Sequence, residues 1–428
     1  RCAGGFAGEM INGGAANLGS LDILELTLDL GQRLGVLNVF VPVIKQSSVE
    51  GYQSGLTVQS NGINDKELLG YAGGYVGKLI GGQIWGEENS RCKVTKLRRV
   101  DGSTYVGGFV GSSRPGSVAT VDPVRGEGLF LSKLLEKILD TPTDLIKVLN
   151  ATVATIQYAD VESWNPWGII INGAQSTGEA NTSYAKAAGG FAGSISGTVL
   201  GKKKDGENAG VSAKGIRSVI GGEYAGGCFG IADVDAGVKV SDKNETQLLK
   251  YLLQLGRTDV LDAFRTYVYY GNVSGSEDAG LSVQAHEANK NGQNDAVTYS
   301  GVAGGFGGAL LNSSVKNSTV TNLSNVVGLN STGGFVGYAT GKTEYEGLSN
   351  ALGATTKLLA SLLNLIPGLG LGDLITILLG NAIPLDKLIP TGYINAKIKN
   401  CSINGLSIST SNQKDYAGGF IGQQKGTI

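Results

Sequence analysis

The sequence predicts a mainly β fold, a parallel β-solenoid (β-helix) built from tandem repeats, with α-helical hairpin insertions. A short motif, Gly-Gly-aromatic-x-Gly, occurs eight times, at alternating spacings of 69, 34, 82, 37, 78, 29 and 85 residues. A fixed internal period is typical of solenoids, propellers and other arrays. Short segments with alternating apolar residues follow the motifs and predict strands, whereas segments with helical spacing interrupt the longer intervals.

The motif residues are the first element of this prediction. We expect each aromatic side chain to point into the core at a corner, and the paired glycines to give the bend, because glycine permits tight turns and close backbone approach. The aromatic position holds Phe6, Tyr75, Phe109, Phe191, Phe306, Phe335 and Phe420, and Cys228 replaces it once. The paired glycines are Gly4 and Gly5, Gly73 and Gly74, Gly107 and Gly108, Gly189 and Gly190, Gly226 and Gly227, Gly304 and Gly305, Gly333 and Gly334, and Gly418 and Gly419.

Every second motif copy defines a larger repeat of about 110 residues, so we predict four units in one continuous solenoid. The third and fourth have helical insertions at about 244–266 and 346–389, and the second has one at about 127–150. The first insertion, at about 18–36, is helical by position but alternates like a strand. Both ends fall inside the repeat, so we expect a fragment of a longer chain whose open strand edges are continued, capped or stacked head to tail. The units are 1–106, 107–225, 226–332 and 333–428.

Individual strands and insertions are predicted from local pattern. Residues 55–60, 315–320 and 394–403 alternate apolar and polar residues between Gly, Asn and Ser, which predicts three strands. The apolar stretch 358–379 is interrupted by Asn364, Pro367 and Asp373. A membrane-spanning helix needs about 20 consecutive apolar residues. We therefore predict a helical hairpin there, and no membrane span.

Composition excludes several classes of protein. Glycine accounts for 69 of 428 residues without a strict triplet, which excludes collagen. The chain is 41% hydrophobic and 17% charged, which is not the composition of a disordered chain. Its 35 basic and 36 acidic residues form no basic stripe, so we predict no nucleic-acid partner.

The motif resembles the GLUG-type repeat of bacterial surface proteins. The resemblance is carried by 418–422 with the following Gly-Thr-Ile at 426–428, and by Asn-Cys-Ser-Ile at 400–403. It covers the strand parts of all four units, and the helical insertions depart from it. That family occurs in large secreted or wall-anchored adhesins, and beside peptidase domains in some immunoglobulin-cleaving enzymes. The resemblance implies an extracellular stalk at the cell surface or cell wall, and it brings no catalytic residues.

The reactive residues do not occur in a catalytic or ligand-binding motif, so we predict no catalytic, cofactor-binding or metal-binding residue. The single histidine, His286, lies in a polar segment that no other unit repeats, and we interpret it as a surface residue. Glu87 with Glu88 reads as a solvated turn, and Asp233 with Asp235 as a turn or a weak cation site. The four cysteines are Cys2, Cys92, Cys228 and Cys401. They form no Cys-x-x-Cys pair, so we predict buried free thiols, and disulfides between distant cysteines remain an alternative.

Ligand contact has one local candidate, Trp164 with Trp167 in Trp-Asn-Pro-Trp. The alternative is a packed corner that joins an insertion to the solenoid, and we favour it. The function expected from the sequence is a non-enzymatic rigid stalk or filament, whose partners are neighbouring repeats of the same chain or identical chains. A different possibility is an adhesin domain that binds a host glycan or protein through the insertions.

Two further classes of protein have weaker support from the sequence. A polysaccharide-degrading β-helix enzyme would need one non-repeated charged cluster in a groove. An ice-binding solenoid would need a regular threonine array, whereas threonines such as Thr319 and Thr321 are scattered.

Overall fold

The structure is a computed structural model, and its described residues are mainly β, with 67% strand and no helix. The predicted insertions at about 18–36, 127–150 and 346–389 lie outside these residues. So does the insertion at about 244–266, apart from Arg265 and Thr266, which are not helical. The structure describes residues 1–11, 41–60, 63–64, 67–68, 70–116, 153–176, 182–202, 209–234, 265–286, 301–340, 396–405, 407–410 and 416–425.

The chain coils so that each turn, here called a rung, adds a strand to sheet A, then to sheet B, then to sheet C, and then one long or two short strands to sheet D; only the sheet A and sheet B strands of the eighth rung are described. Pairing between successive rungs is parallel and in register, so that Gly4 pairs with Gly73, and Gly73 with Gly107. This arrangement fits a parallel β-solenoid. Eight rungs begin at Cys2, Tyr71, Tyr105, Ala187, Tyr224, Val302, Ser331 and Tyr416.

The strand bounds follow the order of the rungs. Sheet A contains Cys2–Gly4, Tyr71–Gly73, Tyr105–Gly107, Ala187–Gly189, Tyr224–Gly226, Val302–Gly304, Ser331–Gly333 and Tyr416–Gly418. Sheet B contains Ala7–Ile11, Val76–Ile80, Val110–Arg114, Ala192–Ser196, Phe229–Asp233, Gly307–Leu311, Val336–Thr340 and Ile421–Lys425. Sheet C contains Val43–Lys45, Gln83–Trp85, Ala154–Gln157, Thr198–Leu200, Tyr267–Tyr269, Ser314–Lys316 and Lys397–Lys399.

Sheet D has twelve strands because most rungs bend once within it. They are Ser48–Glu50, Leu56–Ser60, Cys92–Gly102, Ala159–Ser163, Ile169–Asn172, Val211–Gly221, Gly271–Gly275, Leu281–Ala285, Thr319–Thr321, Leu323–Gly328, Ser402–Ile403 and Ile408–Thr410. Two antiparallel hairpins lie beside the coil. They pair Ile63–Asn64 with Glu67–Leu68, and Ala174–Ser176 with Thr182–Tyr184.

The alternation of long and short spacings comes from one corner of the coil, between sheets B and C. Every rung has one motif, but in the first, third, fifth and seventh rungs a long segment outside the described residues separates the sheet B strand from the sheet C strand. In the second, fourth and sixth rungs a short turn joins the sheet B strand to the sheet C strand. This turn contains a left-handed residue, which is Gly81, Gly197 or Asn312, with φ of 61°, 48° and 50° respectively. The 110-residue repeat therefore consists of two rungs. The described residues end at Ile11, Gly116, Val234 and Thr340 on the sheet B side of this corner, and resume at Val41, Val153, Arg265 and Ala396 on the sheet C side.

Two of the three strands predicted from alternation are divided by a corner. Asn317 has a left-handed φ of 51° and separates Ser314–Lys316 from Thr319–Thr321. Asn400, with φ of 54°, likewise separates Lys397–Lys399 from Ser402–Ile403. Asparagine adopts this conformation more readily than most residues. The apolar residues of both flanking strands remain on the inner side, so alternation does not reveal the corner.

One apolar core runs inside the coil and receives side chains from all four sheets. In the second rung these are Ala72 from sheet A, Leu79 from sheet B, Ile84 from sheet C and Val94 from sheet D, all fully buried. Because each rung stacks on the next, the cores of separate rungs merge into a single cluster.

Candidate functional site

The aromatic residues of the motif form a stacked ladder along the axis of the coil. Ring centroids are 4.6 Å apart for Tyr75 and Phe109, and 4.9 Å apart for Phe109 and Phe191, with planes within 9°. This spacing matches the separation of about 4.8 Å between hydrogen-bonded strands. The ladder also includes the pairs Phe6–Tyr75, Phe306–Phe335 and Phe335–Phe420, at 5.1, 4.7 and 4.8 Å.

The rings of the inner rungs have no face open to solvent. Tyr75, Phe109, Phe191, Phe306 and Phe335 are fully buried. The Tyr75 hydroxyl donates a hydrogen bond to the Ser47 carbonyl at 3.2 Å, and burial raises its pKa above the ordinary value. These rings can therefore stabilise the coil, but they present no surface to a ligand. In the terminal rungs, Phe6 is 49% exposed and Phe420 is partly buried.

The paired glycines lie where the chain bends from sheet A to sheet B, and they allow close approach between rungs. All of them lie in the described part of the chain, and none has a left-handed φ. A Cβ on Gly74 would lie 2.1 Å from the carbonyl oxygen of Gly108, and a Cβ on Gly334 would lie 2.0 Å from that of Gly419. A larger residue would push the stacked corners apart. The glycines therefore lie at the bend between sheets A and B and also allow the close spacing of the stacked corners.

The two tryptophans lie at the bend of the third rung within sheet D, between Ala159–Ser163 and Ile169–Asn172. Nε1 of Trp164 donates a hydrogen bond to the carbonyl of Gln53 at 2.8 Å, and the Arg98 guanidinium lies 5.6 Å from its ring centroid. Trp167 is 61% exposed, and the Arg217 guanidinium lies 4.4 Å from its ring centroid. Trp164 is thus fixed against the first two rungs, whereas Trp167 presents most of its surface to solvent.

The remaining reactive residues do not assemble into one site. His286 stacks on Tyr184 with ring centroids 4.3 Å apart, and its burial lowers its pKa. Glu87 and Glu88 are exposed in a small turn. The Asp233 carboxylate accepts a hydrogen bond from the Val234 backbone N–H at 2.7 Å. Asp235 lies outside the described residues.

The cysteines are four free thiols. Cys92 and Cys228 are buried, and burial raises the pKa of Cys228. In the part of the chain that the structure describes, no three His, Cys, Asp or Glu residues gather to hold a metal ion. A search of the same residues for a helix long and apolar enough to cross a membrane finds none.

A groove on the outer surface, between sheets A and B of the second to fourth rungs, is the candidate ligand site. Tyr71 and Tyr105 lie on its sheet A side, with ring centroids 5.6 Å apart and planes tilted by 47°. Lys78 and Arg114 lie on its sheet B side. Its volume is about 230 Å³, and its remaining lining residues are Ser112, Ser194 and Ser196.

No protein-family model, curated protein or solved structure matches this chain. We therefore infer function from the geometry of the chain itself.

One repeated residue in the sequence marks the sheet A side of the groove. Tyrosine stands two residues before the first glycine of the motif in four of the eight copies, at Tyr71, Tyr105, Tyr224 and Tyr416. This position begins each sheet A strand, and at Tyr71 the ring lies beside sheet B, with its centroid 5.3 Å from Nζ of Lys78. Lys78 and Arg114 belong to no such repeated position. They lie opposite the tyrosines because the chain turns at the glycine corner between sheets A and B, and the sequence does not show this turn.

Proposed function

We propose that this chain is a non-enzymatic structural segment of an extracellular bacterial adhesin of the GLUG-repeat type, in which stacked rungs form a rigid stalk or filament. The observation that carries this proposal is the ladder of in-register rungs, in which sheets A and B each join eight parallel strands. Backbone hydrogen bonds run along the axis from rung to rung, and the stacked rings lie inside. Bending such a coil would break hydrogen bonds and ring contacts together, which favours stiffness.

The rise per rung determines how long this segment is along the axis of the coil. Eight rungs at about 4.8 Å each span roughly 38 Å. A long stalk therefore needs many such segments in series, supplied by further repeats of the same chain or by identical chains.

Small-angle X-ray scattering tests the rod. Duplicating the third unit, 226–332, adds two rungs and should lengthen the particle by about 10 Å while its cross-section stays constant. A matched variant that repeats the same number of residues from a glycine-serine linker controls for mass alone. Compact particles whose maximum dimension does not increase with the added unit would contradict the stalk.

Surface location is tested on the producing cells. Antibodies against the purified protein should label intact cells, and protease treatment of those cells should remove the signal. Labelling that requires permeabilised cells would count against the extracellular placement.

A second candidate, binding of a host glycan or protein through the insertions, is favoured by one observation. The four predicted insertions are attached at the same corner of the coil, in rungs that lie two apart, so successive attachment points are separated by about 10 Å. A test replaces 12–42 by Gly-Gly and 341–396 by Asn-Ser, which are the turns of the second and sixth rungs. Retained folding with lost adhesion to host cells would support this function, and unchanged adhesion would exclude it for these two insertions.

Ice binding and polysaccharide cleavage find less support. On sheet D, one outward column of register partners reads Lys93, Asp160, Ser212, Asn272 and Thr319, a mixture of charged and polar groups. This is not the regular threonine array that ice binding needs. The exposed Glu87 and Glu88 lie in a small turn and not in a charged cluster within a groove, so this pair gives the β-helix enzyme no support.

A further inference from the structure

We propose that the groove between sheets A and B binds a single acidic sugar residue, with the sugar ring on Tyr71 and Tyr105 and its carboxylate on Arg114. The inference goes beyond the structural role, and a rod could exist without it. It also differs from the glycan site expected at the insertions or at Trp164 and Trp167, because every lining residue belongs to sheet A or B.

The tyrosines provide the platform for a sugar ring. Both belong to sheet A and are direct register partners in the second and third rungs. Each lies on the outer face of the coil and is partly buried, so part of its ring remains exposed. Tyrosine combines a large apolar ring face with a polar hydroxyl, which suits a ligand that has both C–H faces and hydroxyl groups.

Arg114 provides the anion-binding group. Its Nε is buried and has no hydrogen-bond partner among the described residues. Leaving a buried charged donor unsatisfied is unfavourable. A carboxylate ligand would satisfy this donor, and arginine matches a carboxylate with two parallel hydrogen bonds.

The charges around the groove favour an anion. Lys78 lies with Nζ 5.3 Å from the Tyr71 ring centroid and pairs with Glu9 at 2.8 Å, on the side of the first rung. Among the described lining residues none is acidic. Glu223, which lies close enough to Tyr105 to affect its ionisation, is half-buried, and this burial raises the pKa of its carboxyl, which favours the neutral form.

The polar wall and the size of the groove suggest one sugar unit. Ser112, Ser194 and Ser196 line the sheet B side, and each hydroxyl can both donate and accept a hydrogen bond. A volume of about 230 Å³ is below the range of roughly 300–1,000 Å³ of pockets that enclose drug-sized ligands. From the fourth rung onward the groove adjoins a buried apolar cluster that includes Ala187, Ala309 and Tyr338, and Tyr105 packs against this cluster. The polar part of the groove is therefore limited to about three rungs.

Isothermal titration calorimetry of the full chain tests the proposal with three probes: hexagalacturonate, maltohexaose as its neutral counterpart, and sodium sulfate. Hexagalacturonate should bind at least tenfold more tightly than either of the others. Arg114→Gln should weaken its binding about tenfold, the scale of one charge-assisted contact. The control, Arg217→Gln, removes the same charge beside Trp167 and should change the affinity less than twofold.

Several results would overturn the proposal. Equal binding of maltohexaose would remove the role of the carboxylate, and equal binding of sulfate would reduce the groove to an anion site without sugar recognition. Absence of binding by the unmodified chain, or equal weakening by both arginine variants, would reject the site. If Arg114→Gln does not fold, Tyr71→Leu replaces it, and unchanged hexagalacturonate affinity in that variant would also reject the site. The scattering test of the rod is unaffected by any of these results.

Discussion

The ring of Phe229 lies against Gly307 of the next rung, in space that a side chain at position 307 would occupy. A Cβ on Gly307 would lie 2.4 Å from both Cε2 and Cζ of Phe229. This contact accompanies the one break in the aromatic ladder, where Cys228 stands in place of a ring. Phe229 packs edge-on against Phe306, with centroids 5.6 Å apart and planes at 89°. The fifth rung therefore moves its ring by one residue, and the sixth rung makes room for it with glycine.

The first prediction tests this exchange. Gly307→Ala should lower the free energy of unfolding by about 1–3 kcal/mol, because the added methyl overpacks the core. Phe229→Ala should also destabilise, through the cavity it leaves. The two changes together should cost less than their sum, since the alanine at 307 partly fills that cavity. Urea denaturation of the four proteins measures the coupling, and strictly additive effects would contradict the contact.

The second prediction concerns the second glycine of the motif. Gly334→Ala should destabilise by more than about 2 kcal/mol, because the Cβ would lie 2.0 Å from the Gly419 carbonyl oxygen and the backbone cannot move without disturbing the ladder. Gly419→Ala is the matched control, since a Cβ there has no atom within 4 Å in the described structure. Thermal unfolding should separate the two variants clearly. Similar losses in both would show that glycine is needed for backbone conformation instead of space.

The third prediction separates the two tryptophans. Trp164→Ala should reduce stability by about 1–3 kcal/mol, because it removes the hydrogen bond to Gln53 and the stack on Arg98. Trp167→Ala should change stability by less than about 0.5 kcal/mol, as expected for an exposed side chain. Chemical denaturation measures both. A large loss in Trp167→Ala would show that this side chain is structural and would remove it as a candidate contact for a partner.

The fourth prediction concerns pH. Burial lowers the pKa of His286, so below about pH 6.5 the unfolded chain binds a proton at this residue more readily than the folded chain does. The contribution of the neutral His286 to the free energy of unfolding is therefore fully present above about pH 6.5 and is lost as the pH falls through the folded pKa. His286→Phe retains a ring to stack on Tyr184 without titrating. Unfolding curves at pH 8 and pH 5 should show a smaller loss in the variant, and equal losses would contradict the assignment.

Much of the fold could be predicted because the repeat is a local signal with a direct structural meaning. Equal motifs at Gly73 and Gly107 occupy equal positions in successive rungs, so period and register follow from the spacing. The corner at Asn317 could not be predicted, since residues on both of its sides keep the same inward alternation. The groove could not be predicted as a site either, because Tyr71 and Lys78 are separated by the glycine corner and meet only when sheets A and B fold toward each other.

The sequence by itself determined the mainly β class, the parallel stacking and the two-rung period, because backbone pairing repeats wherever the motif repeats. Only the tertiary structure showed that the close contact between rungs requires the glycines, that Phe229 packs against Gly307, and which outward residues share a surface. These depend on distances between rungs. Such distances arise when stacked backbones approach within hydrogen-bonding range, and no single segment of the chain contains them.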